Sequence, residues 1–206
     1  MRFGLFHNLH DLTKRRDYGD LLGELRELAA ICDETDFDVL WMPEHHFSVW
    51  GRELLPNPLM TAVDPATRTR RIRIGIAAAI VTFWHPLRAD EDIALLDQLT
   101  GGRVEIGFGR GNYGLEAANL NPEANPNDQA KNKLVFDEAV SVIKAALTQE
   151  RISFKGRSMS SRPRAFAPTV HTPSPTPIIS TRRAANWSSS RSFRAPARTR
   201  CRCGRW

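Results

Sequence analysis

The stretch "RIRIGIAAAIVTFWHPLRADEDIALLDQLTGGRVEIGFGRGNYG", residues 71–114, decides the fold. Its first eleven residues, rich in β-branched side chains after the alternating Arg71 and Arg73, read as a buried strand. His85-Pro86 opens a helix, because proline suits the first turn, and Gly101-Gly102 closes it. "RVEIGFG" (103–109) returns to a strand pattern. A strand, a crossover helix and a second strand imply parallel pairing with a right-handed connection.

The same unit repeats upstream. "RFGLF" (2–6) and "FDVLWM" (37–42) read as short buried strands. Between them, "DYGDLLGELRELAAICDET" (17–35) places Leu21, Leu22, Leu25, Leu28, Ala29 and Cys32 on one helical stripe. "NPLMTAVDPATRT" starts a helix with Asn57 as cap and Pro58 in the first turn, and Pro65 is expected to kink or end it. Downstream, 128–149 carries Leu134, Val135, Ala139, Val142, Ile143, Ala146 and Leu147 on one face. The order is βαβαβαβα, an α/β fold. Two architectures fit it: an open doubly wound sheet, or the first half of a (β/α)8 TIM barrel, four βα units. Both gather chemistry at the C-terminal ends of the strands.

Composition divides the 206 residues in two. Residues 1–157 hold 19 Lys+Arg against all 23 Asp+Glu, a balance of −4, whereas 158–206 hold ten Arg and no acid, a balance of +10. The net +6 therefore belongs to the tail. That tail is rich in Arg, Ser and Pro and has no sustained period, so it reads as disordered. It also has the composition of a GC-rich coding sequence translated out of frame. An arginine arm of this kind binds phosphate nonspecifically, which makes a nucleic-acid or interaction protein the alternative from another class. No apolar run approaches the roughly 18–20 residues of a membrane span, and the N-terminus lacks a signal-peptide pattern. Cys32, Cys201 and Cys203 have neither disulfide nor zinc spacing. A cytoplasmic location is expected.

Three motifs fall at strand ends. After the second strand, "PEHHF" sets Glu44, His45 and His46 side by side. One histidine facing a pocket, with an ordinary pKa of about 6.5, suits acid/base work, while the other is held structurally. A metal site needs a bend and further ligands, and none is spaced for it; solvated loop histidines are the plain alternative. At the end of the third strand, Ala77 and Ala78 remove side-chain bulk where a planar ligand could lie, or where helix and strand pack tightly. After the fourth, Gly107, Gly109, Gly111 and Gly114 surround Arg110. Bare backbone and a guanidinium can grip a phosphate, or the glycines can form a simple turn. The spacing is neither the dinucleotide fingerprint nor a Walker loop.

Together, "RFGLF", "WMPEHHF" and "HPLRADEDIALLDQLTGGRVEIGFGRGNY" resemble the N-terminal half of the bacterial luciferase-like flavin monooxygenases, from residue 1 to about 157. The resemblance implies a (β/α)8 barrel that takes reduced FMN from a separate flavin reductase. It implies O2 as co-substrate, reaction at flavin carbon C4a, and a small apolar substrate. It assigns His45 and Glu44 to catalysis, and Ala77 and Ala78 to the wall behind the flavin ring, where the family carries a cis peptide. Arg110, with Gly109 beside it, falls near the flavin phosphate. Relatives use a deazaflavin, which leaves that cofactor as the alternative. No metal, no specific nucleic acid and no membrane is implied. Only four of eight strands are legible, so a truncated, weakly stable and weakly active or inactive chain is expected, with a homo- or hetero-dimer as one way to complete it.

Overall fold

The computed structural model describes residues 1–13, 15–48, 53–149 and the single positions 152, 154 and 156. The sequence-based domain boundary at 157 and the tail 158–206, with the disorder, frame change and nucleic-acid binding read there, lie outside the described residues. Four strands, β1 (Gly4–Phe6), β2 (Val39–Met42), β3 (Arg73–Ile80) and β4 (Val104–Gly109), form one sheet in the order β1-β2-β3-β4. Every neighbouring pair is parallel. A doubly wound sheet reverses its strand order at a switch point, whereas a barrel adds strands in chain order. The four βα units are therefore arranged as in one half of a (β/α)8 barrel.

Among the described residues five α-helices accompany the sheet: α1 (Tyr18–Glu34), α2 (Pro58–Arg68), α3 (Pro86–Thr100), α4 (Gly114–Leu120) and α5 (Gln129–Thr148). Their limits follow from local chemistry. Asp17 caps α1 by accepting from the Gly19 amide, Asn57 caps α2 through Met60, and Asp128 caps α5 through Lys131. Gly101 ends α3 in the left-handed region at φ 63°. Pro65 does not stop α2, which continues to Arg68; Thr69 Oγ donates back to the Pro65 carbonyl just beyond that end. Asp90, Glu91 and Asp92 lie beyond the first turn of α3, and Glu91 and Asp92 bracket Arg88 at 3.3 and 3.2 Å. His85 occupies the cap position without a side-chain hydrogen bond. Leu134 falls off the buried stripe of α5, which is Val135, Ala139, Val142 and Ile143.

Helices α1, α2, α3 and α5 cover one face of the sheet. Leu40, Met42, Ile74 and Ile76 point into that layer, meeting Leu21, Leu25 and Ala29 of α1, Ala62 and Ala66 of α2, and Ile93 and Leu96 of α3. The N-terminal ends of the strands are stapled by charge. Asp33 accepts the backbone amides of Arg70, Arg71 and Ile72. Arg103 donates to the carbonyls of Ala66, Ile72 and Thr100.

The opposite face is mixed rather than uniformly apolar. Glu105 accepts from Arg2 at 2.7 Å and from Arg73 at 2.6 Å. Beside this pair, Trp41 lies across Gly4 and Gly75, while Phe6 remains 52% exposed. A Cβ on Gly75 would stand 2.2 Å from Trp41 Cε3. Gly75→Ala is therefore expected to lower stability by about 1–3 kcal/mol through overpacking. A urea melt followed by tryptophan fluorescence measures it, and an unchanged midpoint contradicts the packing described.

Candidate active site

A cleft of about 360 Å³ opens at the C-terminal ends of β2, β3 and β4. That volume falls within the roughly 300–1,000 Å³ of small-molecule pockets. Its wall contains Glu44 and His45 after β2, Ala77 and Ala78 on β3, and Gly109 and Arg110 at the end of β4. All six residues singled out from the sequence thus meet in one cavity, although they come from strand ends up to 66 positions apart.

The floor is formed by β3. Ala77 pairs with Gly107, and pairing resumes at Ala79 with Phe108, so Ala78 is the residue skipped. The Ala77–Ala78 peptide is cis, as the family resemblance implies. A Cβ on Gly109 would meet Ile80 Cδ1 at 2.9 Å and Ala78 Cβ at 3.1 Å, so glycine is what keeps β4 close to the alanines. Gly111 has φ 74°, and a Cβ there would also strike Phe83 at 2.9 Å.

The mouth is held by a polar lattice. The Arg110 carbonyl accepts from Thr82 Oγ at 3.1 Å and from Asn132 Nδ2 at 2.9 Å. Asn132 also donates to the Ala124 carbonyl, and Asn121 donates to that of Thr82. These bonds fix the loop's backbone and leave the Arg110 guanidinium to reach Gln129 Oε1 at 3.1 Å.

The two histidines have separate surroundings. His46 turns its Nε2 to Glu44 Oε1 at 3.0 Å and lies edge-on to Phe83. Glu44 is 0% exposed and accepts two further hydrogen bonds, from Trp84 Nε1 and from the Ile80 amide, both at 2.8 Å. Each of its oxygens is engaged, so Glu44 lines the cleft as a tie between β2 and β3. His45 stands instead between two other acids. Its Nδ1 is 3.4 Å from Glu116 Oε1 and its Nε2 is 3.7 Å from Glu53 Oε1. These are ion pairs rather than aligned hydrogen bonds, and Nδ1 has no hydrogen-bond partner among the described residues. Burial works to lower the pKa of His45. The carboxylates of Glu116, Glu53 and Glu44 outweigh it and hold the ring above its ordinary value.

Sequence reasoning did not find Glu53, Glu116 or Asn132. Glu116 sits in α4, whose seven residues are too few to show a period. Glu53 is delivered by the backbone of its neighbours: Leu54 donates to the Leu9 carbonyl, and the Leu55 carbonyl accepts from the His45 amide. Among the described residues, no group of three or more His, Cys, Asp or Glu could hold a metal ion. No described helix is long and apolar enough to cross a membrane.

Comparison with known proteins adds an independent line. The family described as luciferase-like monooxygenase matches residues 1–185. The oxygenase component of the flavin-dependent trigonelline monooxygenase of Acinetobacter baylyi is 31% identical over 122 residues, 59% of this chain and 33% of that protein. Monooxygenase RslO1 of Streptomyces bottropensis superposes with a TM-score of 0.67 at 28% identity, over 76% of this chain and 46% of the other. The oxygenating constituent of 3,6-diketocamphane monooxygenase of Pseudomonas putida, solved with FMN, shares the fold at a TM-score of 0.69 and 21% identity, over 77% of this chain and 42% of that one. The chain spans less than half the length of these relatives.

The Glu44 tie is directly testable. Glu44→Leu leaves the Ile80 amide, the Trp84 indole and His46 without their acceptor, and it is expected to cost about 3 kcal/mol or more. Chemical denaturation checks this, and a loss under about 1 kcal/mol would show that the three bonds are not what joins the strand ends.

Proposed function

Since the chain belongs to the luciferase-like monooxygenase family, we propose that it takes part in flavin-dependent oxygenation. The flavin is reduced FMN supplied by a separate reductase, the oxidant is O2, and the substrate is a small apolar molecule. The observation that carries the reading is one cleft holding a small-residue wall, a flanked imidazole and a guanidinium.

The donor set suits a flavin. An isoalloxazine ring is large and flat and needs a wall without side-chain bulk, which Ala77, Ala78 and Gly109 form. A phosphate needs a cation on an anchored loop, and Arg110 stands on backbone held by Thr82 and Asn132. When bound, the reduced flavin supplies the electrons that activate oxygen. The chain's own residues bind, orient and manage protons. His45 is the proton-bearing group at the cleft, and Glu44 secures the strand end from which it projects. Phe47 and Tyr113, about half exposed, give the apolar surface that supports the substrate class.

An anaerobic titration of the 206-residue chain with reduced FMN tests the proposal, with reduced riboflavin and a reduced deazaflavin in parallel. Arg110→Ala is expected to weaken FMN binding about 10- to 100-fold, the worth of a charge-assisted bond, and to leave riboflavin unchanged. Equal affinity of the parent for FMN and riboflavin would contradict the phosphate assignment. Tighter binding of the deazaflavin would transfer the reading to a deazaflavin-dependent oxidoreductase.

A further inference from the structure

Glu116 belongs to α4, outside every motif that led to the cleft, yet it is 2% exposed and points at the catalytic candidate. Its Oε1 accepts the His46 backbone amide at 2.7 Å and lies 3.4 Å from His45 Nδ1. Its Oε2 is buried with no hydrogen-bond partner. His45 Nδ1 is equally buried and equally unpartnered. The ring nitrogen lies nearest Oε1, and a buried nitrogen beside a buried carboxylate is costly if it stays unsatisfied. Oε1 accepts one bond from the His46 amide and has a lone pair to spare, so a proton on Nδ1 donated to it removes that cost after a small rotation of the imidazole.

We infer that Glu116 is a positioning residue: it holds a proton on His45 Nδ1 and fixes the ring, so that His45 enters the cleft as a cation and acid rather than as a free base. The inference rests on the flavin reading for its consequence in catalysis, but the contact itself does not. The charged and titratable groups around the ring are Glu116 from α4, Glu53 from the segment before α2, and Glu44 from the end of β2. The Tyr113 ring is 5.3 Å away by centroid, and its hydroxyl is directed to Glu53 at 3.5 Å. Arg110 lines the same cleft and is the one cation among these groups. Three carboxylates against one guanidinium favour a protonated imidazole.

The raised pKa supports the geometry and sets a sign. A histidine raised on folding adds stability that is complete below its unfolded value of about 6.5 and is lost as pH climbs through the folded value. Above that point the ring is neutral and the charge–charge part of the pair's contribution is gone.

The test is an NMR titration of the histidine rings in the flavin-free full chain, parent against Glu116→Gln, with Glu116→Asp and Glu53→Gln alongside. Glu116→Gln keeps the volume and still accepts the His46 amide through its carbonyl, so the fold is retained. The His45 titration is expected to fall by roughly one pH unit or more, because a carboxylate this close favours the charged ring. Glu116→Asp, which keeps the charge, should recover part of the fall, and Glu53→Gln should give a smaller one. An unchanged His45 titration in Glu116→Gln overturns the inference, and so does an equal fall at His46. If the coupling is found while the parent fails to bind reduced FMN, the flavin reading fails and the positioning role stands.

Discussion

The carboxylate of Glu44, shut off from water at the end of β2, is the constraint on which the site depends. A buried acid is costly unless its lone pairs are filled. Here the Ile80 amide, the Trp84 indole and the His46 ring fill them. Those donors come from β3, from the turn beyond it and from the carboxylate's own strand end, so satisfying one acid fixes the relative heights of two strands. The same bonds turn His46 inward and leave its neighbour His45 to face the cleft. The paired histidines have different roles because one is consumed by the tie that positions the other.

The sheet divides its labour between two ends. At the N-terminal ends of the strands, Asp33 and Arg103 bind backbone groups of the adjoining turns and close that end by charge and hydrogen bonding. At the C-terminal ends the bulk is taken away: Ala77 and Ala78 line the cleft with single methyl groups, and Gly109 and Gly111 let the end of β4 lie close against Ala78, Ile80 and Phe83. The removal has to be local. Two residues further in, Gly75 exists to seat Trp41, and the small residue there is filled by packing rather than left open. Small residues on one strand thus do two things: Gly75 is covered by Trp41 of the neighbouring strand, whereas Ala77 and Ala78 line the open cleft.

Much of this was legible in the chain. The strand and helix order followed from periodicity and from the stops at Asn57-Pro58 and Gly101-Gly102, and the choice between barrel and open sheet waited for the strand order. The six cleft residues were legible because each lies at or just beyond the C-terminal end of a strand, where topology brings them to one rim, and because the motifs that hold them resemble those of a known family. What was hidden depends on distance in sequence. Glu116 reaches His45 across 71 positions from a helix too short to show a pattern, and Glu53 arrives through backbone bonds of Leu54 and Leu55. The expectation that Pro65 could end α2 failed for a related reason: a proline rule describes an isolated helix, whereas α2 continues past that point with Pro65 and Ala66 buried.

The central claim is that three strand ends make one flavin seat. A crystal structure of the chain with FMN examines it most directly. The account predicts the ring lying against the Ala77–Ala78 peptide, the phosphate in contact with the Arg110 guanidinium, and His45 on the ring's reacting side. Density for the flavin on the far face of the sheet, or a phosphate turned away from Arg110, would contradict it.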